Sequence, residues 1–580
     1  MIVLGISAFF HDAAAALLVD GVVVAAAQEE RFTRLKHDAA LPVNAARFCL
    51  EQAGVTIAQV DHVVFYEKPL RKFERILVTH LREFPRSLPQ FSRALATWLG
   101  KRLWSKGELC AALGCTTEQL LFCEHHLSHA ASAFFSSPFQ SAAVITVDGV
   151  GEWATTSIYR GSSGPDGSKL ELLEELHFPH SIGLLYSALT AYLGFEVNDG
   201  EYKVMGLSAY GEPRFLDRLE QLCAIGDDGA LTLDEKFFCF QRHPTRSFTP
   251  ALEALLGPAR VPGAALHLPA RDEEDRRFAD IAASLQKLTE RYLLALSHRA
   301  KALTFERNLA LAGGVALNCV ANRHLQTHGP FEQLFVQPAA GDAGGSLGAA
   351  QWATHVLHGL PRVAAMRHAF LGAAYAPTEI ARFLTDCRVA YHAFDSRADL
   401  VDEVARLLSE QQVGGWFQGR FEWGPRALGA RSIIADARDP KAQDRVNRKI
   451  KFRESFRPFA PAVLAEEAAR WFDVSPTDQL APFMCSVVPV RPETRERLPA
   501  ITHVDGTARV QVVHAEDNPA FHALVDAFRR RTGVGVLLNT SMNLKDEPLC
   551  ASPAEAYAVF ARSELDFLVL ENCLIERRPS

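Results

Sequence analysis

The chain opens on an apolar run, IVLGIS, followed by a small-residue loop through Phe9 and Asp12 and then by two further apolar runs, AAAALLV and VVVAAAQ, hinged at Asp20-Gly21. Short apolar runs bounded by turn residues predict buried strands, and Asp-Gly between two of them predicts a tight hairpin. The same arrangement recurs from Ala142: AAVITVDG, a loop through Gly149 and Gly151, then ATTSIYRG. Two such hairpins predict an internally duplicated α/β unit. Over residues 280–305 the apolar positions recur at helical spacing and predict a core-packing helix. It leads into NLALAGGVALN, which reads as a strand, a Gly-Gly turn and the start of another helix.

Farther on, the pattern changes. A low-charge stretch, HGLPRVAAMRH (358–368), predicts a linker between a first domain over 1–357 and a second over 369–580. From Val413 to Ala460 there are 11 Lys/Arg against 5 Asp/Glu, a local excess of six positive charges (11 − 5). The interleaved WGPRALGARS and ESFRPFAP do not fit a plain solvated helix, so this region is expected to form a cleft for an anionic ligand.

Composition sharpens this reading in three places. At roughly 100–200 residues per domain, the 580 residues allow three or four domain-sized units. The overall charge is −7, which argues against nucleic acid or an anionic membrane as a general partner. The 11 cysteines contain no C-x-x-C pair and predict reduced thiols. The first residues lack a basic leader region, and no run approaches the roughly 18 uncharged apolar residues of a membrane span. A cytoplasmic protein, monomer or homodimer, is expected.

Candidate chemistry sits in the first half. EHHLSHAASAFFSS places His125 and His129 four residues apart, on one face if the segment is helical. That spacing alone is weak evidence, and the Glu of a zinc-protease H-E-x-x-H motif is missing. Asp148, ending the strand AAVITVD, and Asp342, in the turn PAAGDAGGSLGAA, add carboxylates at strand ends. A His2Asp2 set suits Fe(II), Mn(II) or Zn(II). His126 is expected to point off that face. The Gly313-Gly314 and Gly344-Gly345 turns let the backbone approach a phosphate or ribose, so ATP binding is expected there.

In order along the chain, GISAFFHDAAAALLVDG, EERFTRLKHDAALP, HHLSHAASAF, TVDGVGEW, EYKVMGLSAYG, GGVALN and GDAGGSLGAA resemble the NodU/CmcH-type O-carbamoyltransferases. The resemblance continues through GRFEWGPRALGARSIIADAR, VNRKIKFRESFRPFAPAVL, DGTARVQVV and LLNTSMNLKDEP, so it covers nearly the whole chain. It departs from the family pattern at Phe421 and Met542, where Met and Phe are usual; both exchanges are apolar. The resemblance implies an actin/sugar-kinase/Hsp70-like duplicated module of the threonylcarbamoyl-transferase branch, followed by a YrdC-like α/β domain. It implies that carbamoyl phosphate and ATP form carbamoyl adenylate in the second module, and that the first transfers the carbamoyl group to a hydroxyl of a small natural product.

Carried over, the resemblance makes His125, His129, Asp148 and Asp342 metal ligands, usually for Fe(II), with Mg2+ accompanying ATP. His11 matches the histidine that assists transfer, and an ordinary pKa of about 6.5 would suit a general base. Lys36 is expected to balance the adenylate charge. Gly313, Gly314 and Asn318, with Gly344 and Gly345, match nucleotide contacts. Arg426, Lys451, Arg457, Arg509, Ser541 and Asn543 match the carbamoyl phosphate and adenylation pocket. Guanidinium forks neutralise such planar anions well. Segment 60–120 carries no recognisable motif and reads as a structural insert or part of the acceptor site, the former being favoured.

Two other readings stand beside this one. A threonylcarbamoyladenosine-type tRNA modification enzyme shares both module types, but the −7 charge and the lack of a basic stripe in the first half count against it. A non-catalytic actin-like ATP-binding clamp would leave the basic second half and the His-x-x-x-His pair without a purpose.

Overall fold

A computed structural model describes residues 1–577 except 86, 89–90, 93–97, 99–104, 166, 244–245, 271, 452–456 and 458. The chain divides into two compact units. Met1–Ala25 with Ala39–Ala365 form the first, and Ala26–Asp38 with Met366–Ser580 form the second. The short segment 26–38 thus belongs with residues far along the chain, which no local pattern indicated.

Two five-stranded sheets build the first unit. The first contains β1 (Ile2–Ser7), β2 (Ala14–Val19), β3 (Val22–Gln28), β4 (His62–Phe65) and β5 (Leu120–Phe122), in the order β3-β2-β1-β4-β5. Asp20 and Gly21 take positive φ of 48° and 85°, the geometry that lets a two-residue turn follow strand twist. Segment 60–120 supplies β4 and leads directly into β5, so it contributes to the sheet; its residues 86, 89–90, 93–97 and 99–104 lie outside the described set.

The second sheet contains β6 (Ser141–Val147), β7 (Ala154–Gly164) and β8 (Gly167–His177). A small hairpin, β9 (Cys223–Ile225) with β10 (Leu231–Leu233), precedes its last strands, β11 (Asn308–Ala312) and β12 (Gln333–Val336). The order is β12-β11-β6-β7-β8. In both sheets the first strand pairs antiparallel with the second and parallel with the fourth, and the fifth lies beyond the fourth. The duplication expected from two hairpins is therefore present in the strand order itself.

Helices His125–Ser136 and Asp342–Gln351 are nearly or wholly buried. Small residues explain how closely they approach. A methyl group at Gly348 would lie 1.7 Å from the Ser128 carbonyl oxygen, and one at Gly5 of β1 would lie 1.8 Å from that of Ser346. The helix predicted over 280–305 runs from Glu273 to Thr304, its first turn capped by Asp272 accepting the Asp275 amide.

The second unit is built on one mixed eight-stranded sheet. Its strands are β13 (His392–Ala393), β14 (Gly414–Phe417), β15 (Arg431–Asp436), β16 (Ala460–Leu464), β19 (Gln511–Val513), β20 (Val536–Ser541), β21 (Phe567–Leu570) and β22 (Cys573–Glu576). β17 (Val488–Pro489) and β18 (Thr507–Ala508) form a separate pair. The sheet order is β13-β22-β21-β14-β15-β20-β16-β19. Successive residues face opposite sides. Phe417, Ile433 and Leu538 join one core with helices Pro377–Asp386 and Pro553–Arg562, whereas Trp416, Ile434 and Leu537 join the other with helices Arg397–Ser409 and Pro519–Thr532. Both faces are covered, which explains why these strands read as continuous apolar runs. All 11 cysteines are free thiols. Among the described residues no helix is long and apolar enough to cross a membrane.

Candidate active site

In the first unit, helix His125–Ser136 starts with His125 and places His129 one turn later on the same face. Asp148 follows the last residue of β6, and Asp342 is the first residue of its helix. Three separated pieces of chain thus deliver four ligand atoms that lie within 4.8 Å of one another. The Asp148 Oδ2 atom is 3.1 Å from His125 Nε2 and 3.0 Å from His129 Nε2, and the two Nε2 atoms are 3.1 Å apart. Asp342 Oδ1 stands 3.8 and 3.7 Å from the same two nitrogens.

Each carboxylate has its other oxygen secured. The Gly149 amide donates to Asp148 Oδ1 at 2.7 Å, and the Tyr66 hydroxyl donates to Asp342 Oδ2 at 3.3 Å. The helix that carries both histidines is fixed at its start by Glu152, whose two oxygens accept the His125 amide at 3.1 Å each. A carboxylate suits that place because helix N-termini present unpaired N–H groups and positive potential. His126 lies apart from the cluster, its Nδ1 at 2.7 Å from the Thr146 hydroxyl.

The electrostatics fit a cation-binding cage. Burial works against charge on Asp148 and Asp342, yet the facing histidines hold Asp148 well below the usual carboxylate range, and His11 and His129 lower Asp342. Burial lowers the pKa of His129, but the carboxylates of Asp148 and Asp342 outweigh it and raise the group to about 9. Two ring nitrogens and a carboxylate oxygen converging on one point form a donor set of the kind a metal ion takes. Two nitrogens and two carboxylate oxygens in a buried cluster fit a borderline-hard divalent ion. Because Tyr66 holds the free oxygen of Asp342, Tyr66→Phe is expected to weaken metal binding about 10–100-fold, read by competition with a fluorescent chelator.

His11 lies in the loop between β1 and β2, with Nδ1 at 3.0 Å from Asp12 Oδ2. Its surroundings move it from the ordinary value of about 6.5. Burial pushes it down, but Asp342, Asp12 and Asp148 together raise it to about 9. The loop backbone is unusual, with positive φ at Phe9 (76°) and Asp12 (52°).

The glycines and Asn318 have packing explanations of their own. Gly313 has φ of 93°, and a Cβ there would lie 2.2 Å from the Val147 carbonyl oxygen. One at Gly344 would lie 2.2 Å from the Ala339 carbonyl oxygen, and one at Gly345 would lie 2.7 Å from the Tyr66 ring. Gly314 is exposed and stands beside Asp148, its Cβ position 3.1 Å from Oδ1. Asn318 caps helix Cys319–His328 by accepting the Ala321 amide, and its Nδ2 donates to Gln286 Oε1 at 2.8 Å.

In the second unit, Lys451, Ser541 and Asn543 come together. The buried Lys451 ammonium donates to the Ser541 carbonyl and side-chain oxygens and to the Asn543 backbone and side-chain oxygens. Arg426 is half-buried on the loop entering β15 and makes no hydrogen bond or ion pair among the described residues. Arg457 is half-buried, its carbonyl accepting from Asn447 Nδ2, and Arg509 is half-buried between β18 and β19. Lys36 is half-buried in the 26–38 segment, so it and His11 fall in different units.

Within the stretch of local positive excess, several described arginines already have partners. Arg420 donates to the Gly372 and Leu371 carbonyls, Arg438 pairs with Asp436, and Arg445 pairs with Asp566. Arg431 is wholly buried, with its terminal nitrogens on four backbone carbonyls and its guanidinium 3.5 Å from the Phe417 ring centroid. Arg453 and Glu454 lie outside the described residues. Sequence reasoning missed Tyr66, Glu152 and Glu422, whose side chains act on their tertiary partners; Glu152 lies inside TVDGVGEW and Glu422 inside GRFEWGPRALGARSIIADAR, whereas Tyr66 lies in no motif.

Comparison with known proteins completes the picture. Residues 2–351 match the family described as Carbamoyltransferase N-terminus, and 405–577 match Carbamoyltransferase C-terminus. The chain is 46% identical over 608 residues to an uncharacterized protein of Synechocystis sp., covering 99% of this chain and 96% of that one. It is 36% identical over 578 residues to nodulation protein NolNO of Sinorhizobium fredii, covering 99% and 80%. It is also 33% identical over 340 residues to the 3'-hydroxymethylcephem-O-carbamoyltransferase of Streptomyces clavuligerus, covering 58% and 60%. The protein is therefore a carbamoyltransferase. It belongs to the NodU/CmcH-type family.

Proposed function

We propose that this protein is an ATP-dependent O-carbamoyltransferase that activates carbamoyl phosphate as carbamoyl adenylate and passes the carbamoyl group to a hydroxyl of a small natural product. The observation that carries this reading is the buried His125–His129–Asp148–Asp342 cluster, whose carboxylates act electrostatically on His11 in a chain with carbamoyltransferase domains. The repeated strand order supports an actin/sugar-kinase/Hsp70-like first module. The YrdC-like assignment of the second rests on the sequence resemblance.

The chemistry balances in three steps. Water cleaves carbamoyl phosphate to carbamate and phosphate. A carbamate oxygen then displaces pyrophosphate from the α-phosphorus of ATP. Finally, an acceptor hydroxyl attacks the carbamoyl carbon and AMP leaves. Lys451, with Arg426, Arg457 and Arg509, supplies cationic groups for the donor phosphate and nucleotide in the second unit. Ser541 and Asn543 orient the Lys451 ammonium. In the first unit, His11 takes the acceptor proton at Nε2 while Asp12 holds Nδ1.

His125, His129, Asp148 and Asp342 would hold Fe(II) or a similar divalent ion, and Mg2+ would accompany ATP. When bound, such an ion acts as a Lewis acid toward a carbonyl or phosphate oxygen. Incubation with carbamoyl phosphate, ATP and hydroxylamine should yield pyrophosphate and N-hydroxyurea. Absence of ATP-dependent pyrophosphate from metal-replete protein would sink the reading.

A further inference from the structure

Glu422 is a wholly buried carboxylate with an unusual assignment. Its Oε1 accepts three backbone amides, those of Leu428 and Ala430 at 2.8 Å and Arg431 at 3.1 Å. Its Oε2 is buried and has no hydrogen-bond partner among the described residues. Burying a carboxylate is unfavourable unless hydrogen bonds stabilise it, so a group placed here shapes what it binds. What it binds is the loop carrying Arg426.

The carbonyls of that loop are secured from the other side. Arg31 donates to the Gly424 carbonyl at 2.8 Å. Asn539 donates to that of Ala427 at 3.1 Å, and Gln511 to that of Leu428 at 2.7 Å. Asn539 Nδ2 also donates to Gln511 Oε1 at 2.7 Å, so the two supports brace each other. Between the anchored Gly424 and Ala427 lie only Pro425, exposed, and Arg426, whose guanidinium is uncommitted among the described residues. Pro425 restricts its own φ and pushes its neighbour away from helical backbone. The loop runs directly into β15, where Ser432 is in register with Ser541 of the Lys451 cluster.

We infer that Glu422 is a positioning residue for donor activation: by gathering three amides onto one oxygen it fixes the loop that presents Arg426 to an anionic ligand. This rests on the proposed carbamoyl phosphate reading of the second unit. A side chain fixed in advance loses less freedom on binding its ligand. The effect of Glu422 should therefore appear in affinity and should vanish once Arg426 is gone.

The test is a double-mutant cycle in the full-length protein, with carbamoyl phosphate binding followed by calorimetry and pyrophosphate release measured in parallel. Glu422→Ala and Arg426→Ala should each weaken binding about 10–100-fold, and the double variant should bind no more weakly than Arg426→Ala alone. Glu422→Gln keeps an Oε1 acceptor for the three amides and should restore affinity to within about threefold of the parent protein. Additive losses, or parent-like affinity in Glu422→Ala or Arg426→Ala, would overturn the inference. If Glu422→Ala does not fold, Glu422→Asp, which withdraws the carboxylate by one methylene, should show the same dependence on Arg426, and parent-like affinity in it would overturn the inference equally. Because binding is read directly, a protein that binds carbamoyl phosphate through Arg426 yet releases no pyrophosphate would overturn the reaction and leave the positioning role supported.

Discussion

Replacing His11 with Asn should lower carbamoyl transfer to an acceptor hydroxyl by about 10²–10⁴-fold while ATP-dependent pyrophosphate release from carbamoyl phosphate continues. Asn preserves a polar group of similar size and removes the titrating ring. The structure adds a condition to this result. A base must be neutral to accept a proton, but in the absence of a cation the carboxylates of Asp342, Asp12 and Asp148 overcome the opposing effect of burial and raise His11 to about 9. Asp342 and Asp148 are also two of the four groups that would hold a divalent ion. Loading the site with Zn(II) should therefore lower the His11 pKa from about 9, as followed by NMR titration of the ring. An unchanged pKa would separate His11 from the cluster. Loss of pyrophosphate release together with transfer would remove its assigned role.

Replacing His129 with Ala should abolish stoichiometric metal binding and reduce transfer by more than about 100-fold, since loss of outer partners alone costs 10–100-fold in such sites. Elemental analysis of the purified variant beside the parent is the direct check; equal metal content in both would rule out the proposed cage. Stability provides a second readout. In metal-stripped protein both His11 and His129 have folded-state values raised to about 9. A raised pKa contributes stability below the unfolded value of about 6.5 that is lost as pH rises through the folded value. Metal-stripped parent protein should therefore lose melting temperature between about pH 6.5 and 9, and His129→Ala should show a smaller loss over that window. Zn(II) should suppress the dependence in the parent and leave the variant unchanged.

Legibility from the chain alone varied with the range of the interaction. The turn at Asp20-Gly21 and the helix preceding β11 depend on spacing over a few residues, and both occur where the pattern placed them. The His125–His129 spacing was readable for the same reason. The convergence of those histidines with Asp148 and Asp342 was proposed from residue types and a family resemblance; only the folded chain shows ring nitrogens 3.0 and 3.1 Å from one carboxylate oxygen. Tyr66, Glu152 and Glu422 were missed because a lone Tyr or Glu has no periodic signature, and its role depends on what packs beside it.

The basic stretch around β15 gives the clearest contrast. Charge counting does not separate its members: Arg420 and Arg431 are satisfied by backbone carbonyls and Arg438 and Arg445 by carboxylates, while Arg426 is uncommitted among the described residues. The sequence by itself determined the hairpins and the duplication of the first half, the residue types of the candidate sites and the family, because hydrophobic periodicity and turn chemistry act over short stretches of chain. Tertiary structure alone decided that residues 26–38 join the second unit, that His11 is raised to about 9, and which arginines of the basic stretch are taken up by carbonyls and carboxylates. Those outcomes depend on burial and on charges brought close from distant parts of the chain, and neither quantity exists until the chain has folded.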